Sequence, residues 1–160
     1  MSEHDITLTV NGEEHGLRVE SRTLLVDALR EELGYTGANV GCETGRCGAC
    51  TVRLDGDAIK SCTRFAVQAD GAEIETVEGL SEGSELSELQ SSFKQNHGLQ
   101  CGYCTPGMLM TAGSFLEDAE DPSREEIREA IEGNLCRCTG YHNIVDAIEQ
   151  VATDGGGEPR

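Results

Sequence analysis

The sequence predicts an α+β chain of two unlike halves, the first built of short strands around one helix and the second wholly helical. Three observations carry that expectation. Apolar residues recur with period 2 in the strands up to Val77 and with period 3.6 beyond; glycines at 79 and 83 punctuate the stretch from Glu78 to Ser84; and eight cysteines divide four and four between the halves. The predicted units are 1–79 and 80–152, followed by a tail, 153–160, that has no apolar anchor and is expected to be mobile.

In the first half Ile6, Leu8 and Val10 alternate with threonines, Asn11-Gly12 supplies a turn, and Leu17 and Val19 alternate with Arg18 and Glu20. This reads as a β-hairpin. The period then changes: Thr23 reads as an N-cap, and Leu25, Ala28, Leu29 and Leu33 recur at helical spacing until Gly34 ends the run. A glycine-punctuated loop, Gly37 to Cys50, carries three cysteines. Val52 and Leu54 alternate with polar residues, Asp55-Gly56-Asp57 turns the chain, a short return runs to Cys62, and a last strand is predicted around Ile74 to Val77. A hairpin centred on Gly56 puts Cys50 across from Cys62.

Four stripes follow in the second half: Leu86, Leu89 and Phe93; Met108, Leu109, Ala112, Phe115 and Leu116; Ile127, Ala130 and Ile131; and Ile144, Val145, Ile148 and Val151. Thr105-Pro106 reads as N-cap then N1, and Ser123 with Glu126 matches a capping box after Pro122. Four short helices of this kind make a small bundle with the stripes as its core.

The chain has 160 residues, with 30 Asp and Glu against 12 Lys and Arg, a net charge of −18. That field repels phosphate and argues against nucleic acid or an anionic membrane as partner. No apolar run approaches the ~20 residues of a membrane helix, and the Met1–Asp5 start is unlike a signal peptide, so the expectation is a soluble, cytoplasmic protein. Only Lys60 and Lys94 are lysine, and acidic residues are spread from Glu3 to Glu158. Two readings follow: an ordinary acidic protein, or a halophilic one adapted to high intracellular salt, where a Debye length of about 3 Å near 1 M tolerates the self-repulsion.

Halves this small usually need a staple, and in a reducing cytoplasm metal ligation is the first reading of the cysteines, with disulfides second. The first set is Cys42-x4-Cys47-x2-Cys50 followed by Cys62. Three thiolates so close converge only if the loop bends sharply, which Gly41, Gly45 and Gly48 permit. This is the plant-type ferredoxin spacing for a 2Fe-2S cluster, whereas a four-cysteine zinc site usually brings two short pairs. Arg46, between two ligands, adds positive charge there or is a solvated surface side chain. The second set is Cys101-x2-Cys104 and Cys136-x-Cys138, separated by 31 residues. On spacing alone a cluster, zinc or a dithiol pair suits it; both pairs fall at helix ends, beside Gly102, Gly133 and Gly140.

Neither a dinucleotide-binding glycine motif nor a P-loop is present, and His4, His15, His97 and His142 are scattered, His142 lying four residues past Cys138. No catalytic residue is assigned to this chain. Three segments in order, Gly41-Cys-Glu-Thr-Gly-Arg-Cys-Gly-Ala-Cys-Thr51, Gln100-Cys-Gly-Tyr-Cys-Thr-Pro-Gly-Met108 and Gly133-Asn-Leu-Cys-Arg-Cys-Thr-Gly-Tyr141, resemble the small iron–sulfur subunit of molybdenum hydroxylases, the xanthine dehydrogenase family. Within it they are most similar to the small subunit of aerobic carbon monoxide dehydrogenase. The resemblance extends from about Ile6 to Val151.

It implies a β-grasp ferredoxin domain followed by a four-helix bundle. It also implies that Cys42, Cys47, Cys50 and Cys62 bind the 2Fe-2S cluster distal to molybdenum, and Cys101, Cys104, Cys136 and Cys138 the proximal one. Gln100 and Cys138 match positions that lie against the molybdopterin cofactor of a large subunit, and Tyr103 stands where relatives often have phenylalanine. The implied function is electron relay from that subunit to FAD on a medium subunit, in a heterotrimer or a dimer of heterotrimers. Carbon monoxide, aldehydes, purines and other heteroaromatics are the implied substrates. The rival classes are a free two-cluster carrier and a zinc-stapled interaction module.

Overall fold

The computed structural model describes residues 2–154. The first half is a five-stranded mixed sheet in the order β2-β1-β5-β3-β4. β1 (Glu3–Val10) and β2 (Glu13–Glu20) pair antiparallel with Val10 opposite Glu13. Between them Asn11 and Gly12 both have positive φ, 51° and 82°, the turn whose twist matches that of the flanking strands. Ile6, Leu8, Val10 and Val19 share one face and are buried there.

β3 (Thr51–Leu54) and β4 (Asp57–Lys60) form the second hairpin. Its two-residue turn is centred between Asp55 and Gly56, so the register differs by one from the expectation: Cys50 faces Ser61. The Ser61 amide and hydroxyl both donate to the Cys50 carbonyl, at 3.3 and 2.7 Å, and Cys62 follows in a 3-10 turn, Ser61–Thr63. β5 (Glu73–Glu75) lies between β1, parallel, and β3, antiparallel. It is shorter than predicted. The buried Thr76 exchanges hydrogen bonds with the Asn11 side chain, both 2.9 Å, which leads the chain off the sheet into a 3-10 turn at Val77–Gly79.

α1 (Leu25–Asp27) continues into a wider π-helical turn, Ala28–Glu32. Its N-cap is Leu24 and not the predicted Thr23, and no side chain caps it. The reason is a sheet-like pairing just before the helix: Leu24 bridges Phe65, the Leu25 amide donates to Arg64 O at 2.8 Å, and the Ala66 amide donates to Thr23 O at 2.7 Å. Leu25, Val26, Ala28 and Leu29 then join the sheet residues in one core that also contains Cys50 and Cys62.

The second half holds α2 (Glu88–Gln95), α3 (Thr105–Asp118), α4 (Arg124–Ala130) and α5 (His142–Asp154). Ser87 and Gln90 form a capping box at α2, which leaves Leu86 ahead of the helix and 49% exposed. At α3 the N-cap is Cys104, one residue earlier than predicted. The Met108 amide closes the first turn on the Cys104 carbonyl at 3.0 Å, placing Thr105 and Pro106 inside the helix. The Ser123–Glu126 box starts α4 as read from the sequence. α5 includes Thr153 and Asp154, the residues predicted to open the tail; 155–160 lie outside the described residues.

The four stripes meet in a single core around Phe93, Met108, Ile127, Ile144 and Ile148. Polar contacts pin its rim: the buried Ser92 hydroxyl donates to Ala147 O at 2.7 Å, and Arg124 pairs with Asp146 at 2.7 Å and with Glu149. α3 also lies against β3 of the other half. There Arg53, its side chain 11% exposed, bridges Glu75 at 3.1 Å and Glu117 of α3. Val77 and Leu80, beside the predicted boundary, pack on the helical core. Among the described residues no helix is long and apolar enough to cross a membrane.

Candidate metal centres

None of the eight cysteines is in a disulfide. In the first set, Cys42 sits in a concave run of backbone: the amides of Thr44, Arg46 and Cys47 donate to its Sγ at 3.3, 3.4 and 3.4 Å. With the Thr44 hydroxyl as the largest cause and these amides behind it, the thiol is lowered to about 5, so Cys42 is a thiolate at neutral pH. Glu43 and Gly45, with φ of 54° and 73°, give the loop its bend. A Cβ at Gly41 would stand 2.7 Å from the Cys47 sulfur, so glycine there serves close approach. Arg46 reaches the thiolate through its backbone, and its side chain is exposed.

Cys50 and Cys62 are both buried, and each lies near enough to bear on the other's ionisation. Burial, then the hydrogen bond to Cys50, pushes Cys62 up to about 11. The second set repeats the pattern. Burial and contact with Cys136 push Cys104 up to about 12, and contact with Cys101 raises Cys138. Cys136 is lowered in spite of its burial, because the Thr139 hydroxyl, 3.2 Å from its sulfur, and nearby amides hold the anion. The Tyr141 hydroxyl receives the Cys136 amide at 2.9 Å and so shapes the same loop.

Six of the eight thiols therefore influence one another in twos, Cys50 with Cys62, Cys104 with Cys136, and Cys101 with Cys138, while Cys42 and Cys47 are joined by the Cys47 amide on the Cys42 sulfur. In each such pair a second negative charge is unfavourable unless a cation is shared. Among the described residues no three His, Cys, Asp or Glu side chains converge on one ion position. That donor arrangement suits a centre with two irons and four cysteines better than a single tetrahedral zinc. The residues present fit such a centre in each half.

Exposure differs between the sets. Cys101 and Cys138 are exposed, as is Gln100, and Leu99, Tyr103 and Leu135 around them are 39%, 51% and 56% exposed. The first set is the more enclosed. Of the histidines, His4 bonds Ser21 and His15 bonds Tyr35; the His97 carbonyl receives the Asn143 side chain, and His142 opens α5. A groove of about 510 Å3 beside Tyr141 and His142 is lined by Glu125, Arg128 and Glu129 and by no cysteine.

The two cysteine loops also meet each other, which the sequence reading did not anticipate. The Leu135 amide donates to Cys47 O at 2.8 Å and the Asn134 side chain to Gly48 O at 3.1 Å. Asn39 donates to Tyr103 O at 2.9 Å, and the Tyr103 hydroxyl donates to Val40 O at 2.6 Å. Asn134 and Gly107 lie inside the motifs already singled out, but nothing in their spacing marks them as the meeting point. The Tyr103 hydroxyl, which a phenylalanine would lack, is used in this contact.

Residues 8–81 match the family model described as a 2Fe-2S iron-sulfur cluster binding domain, and residues 76–149 match a second, described as a 2Fe-2S binding domain. The chain is 54% identical over 155 residues to caffeine dehydrogenase subunit gamma of Pseudomonas sp. strain CBB1, covering 95% of this chain and 93% of the relative. It is 51% identical to the nicotine 6-hydroxylase small subunit of Paenarthrobacter nicotinovorans, covering 90% and 87%. The crystal structure of quinoline 2-oxidoreductase from Pseudomonas putida 86 superposes with a TM-score of 0.90 at 52% identity, covering 96% of this chain and 98% of that one.

Proposed function

The chain belongs to the small 2Fe-2S subunits of the molybdenum hydroxylase (xanthine dehydrogenase) family, and from that premise we propose that it relays electrons singly from the molybdopterin centre of a large subunit to FAD on a medium subunit. We assign Cys42, Cys47, Cys50 and Cys62 to the distal cluster and Cys101, Cys104, Cys136 and Cys138 to the proximal one. The observation that carries the reading is the gathering of cysteines outside any disulfide, six of them in twos, within two separately matched 2Fe-2S domains. The units are 1–79, a β-grasp ferredoxin fold, and a four-helix bundle from 80 to the end of α5 at Asp154, past the predicted boundary at 152.

When bound, each cluster supplies a site that takes and returns one electron. What this chain's residues do is hold the charge and set the access. The Thr44 hydroxyl and the amides around Cys42 favour the anionic form of that distal ligand, and Cys50 and Cys62 are buried. On the other side the exposed Cys101 and Cys138, with Gln100 beside them, face outward and are available to the molybdopterin-binding partner. The chain contributes no catalytic residue, and the large subunit selects the substrate. Caffeine and nicotine in the names of relatives favour nitrogen heterocycles, alongside the carbon monoxide and aldehydes implied by the motifs. The assembly is a heterotrimer, or a dimer of heterotrimers, in the cytoplasm.

Native purification tests this reading. The expected result is a coloured complex with molybdopterin- and FAD-binding chains and two irons and two acid-labile sulfides for each cysteine set. Colourless protein with bound zinc, or a chain fully active alone, overturns it.

The spread of 30 acidic residues, which leaves a net charge of −18, supports a halophilic host. A thermal melt in rising KCl is expected to show the complex gaining stability well beyond 0.15 M, because the Debye length shrinks from about 8 Å to about 3 Å at 1 M. A melting temperature indifferent to KCl removes the idea.

A further inference from the structure

Asn134 is 3% exposed and lies between α4 and Cys136. Its Nδ2 donates to Gly48 O at 3.1 Å and its Oδ1 accepts from the Thr111 hydroxyl of α3 at 2.9 Å. The amide is locked in this orientation, since turned over it would set two acceptors face to face at Gly48. On either side the packing is as close as backbone permits. A Cβ at Gly48 would stand 2.5 Å from Asn134 Nδ2 and 2.6 Å from Gly133 O, and a Cβ at Gly107 would stand 2.1 Å from Gly48 O. One residue away on each strand of this contact, the Leu135 amide donates to the Cys47 carbonyl at 2.8 Å. Cys47 belongs to one cysteine set, and Leu135 is bonded to Cys136 of the other.

We infer that Asn134 is a positioning residue that sets the separation and mutual orientation of the two cysteine sets, and with them of the two electron carriers. The inference rests on the two-cluster reading above. Three segments from both halves converge on this one amide, 47–49, 107–111 and 133–136. A side chain with a donor at one end and an acceptor at the other is what joins them. Gly48 O keeps its bonds from the Thr51 amide, 3.1 Å, and hydroxyl, 2.7 Å, without Asn134, so removing the amide frees the second loop without unmaking the first. Dipolar coupling between two reduced clusters falls as the inverse cube of their separation and reports any such shift.

The test uses the intact complex, fully reduced with dithionite, and low-temperature EPR. In the wild type each cluster's signal is expected to be split by the other. Asn134→Ala is expected to lose part of that splitting at unchanged iron and sulfide content. Thr111→Val, which keeps the amide and removes the hydroxyl that orients it, shifts the signal in the same direction by less. Gly113→Ala, elsewhere on α3 with nothing within 4 Å of the new methyl group, leaves it unchanged. Unaltered splitting in a fully loaded Asn134→Ala complex overturns the inference; if that variant loses iron, unaltered splitting in Thr111→Val does so. A wild-type complex without two cluster signals overturns the two-cluster reading itself and the inference with it.

Discussion

In the assembled enzyme Cys138→Ser is expected to halve the iron content of the chain, abolish the EPR signal of the helical set and leave that of the ferredoxin-like set in place. Cys138 is exposed and lies near Cys101, which raises its thiol, whereas the first set is organised by the Thr44, Arg46 and Cys47 amides, none of which meets residue 138. A serine hydroxyl is a poor substitute for a soft thiolate on iron. Electron flow out of the large subunit should fall by more than the ~10–100-fold typical of losing an outer-shell partner, because a ligand itself is removed. Turnover with an electron acceptor that draws on the FAD side measures this. Loss of the other signal alone would show that the two sets are assigned in reverse.

Gly107→Ala is expected to be the most damaging change outside the ligands. Position 107 is buried near the start of α3, and the new methyl group would lie 2.1 Å from Gly48 O and 3.2 Å from the Ala49 Cα. Both are backbone, so no side chain can swing aside; α3 must draw back from the cysteine loop. Overpacking of this kind costs about 3 kcal/mol, and more where backbone cannot yield. Gly113, also within α3, is open, and Gly113→Ala is expected to stabilise by about 0.5–1 kcal/mol through helix propensity alone. Thermal or urea unfolding of the two variants separates the effects, since chemistry and helix are shared and only the surroundings differ. Equal changes at both positions would mean that the contact between α3 and Gly48 is not held in solution.

Local pattern made most elements legible. The two hairpins were readable because Asn-Gly and Asp-Gly carry their turn geometry with them, and α4 because Ser123, Glu126 and Pro122 specify a start within a few residues. Two of the departures share a physical cause, a distant partner overriding a local preference. Thr23 yields the N-cap to Leu24 because Arg64 and Phe65 pair with the chain there. The last strand stops at Glu75 because Asn11, far off in sequence, holds Thr76. The one-residue change of hairpin register moved Cys50 from Cys62 to Ser61, yet a 3-10 turn brought the two thiols near each other again.

The sequence by itself determined the division into a strand half and a helical half, the sorting of eight cysteines into four and four, and, in the first set, the 2Fe-2S ligand spacing, because ligand spacing and apolar period are local properties of the chain. Only the tertiary structure decided which thiols pair and how the two sets face each other. Those follow from contacts between residues as far apart as Gly48, Gly107 and Asn134. The carbonyl of a glycine, the missing side chain of another and one buried amide leave no periodic trace in a sequence, and they act only once the two cores have packed together.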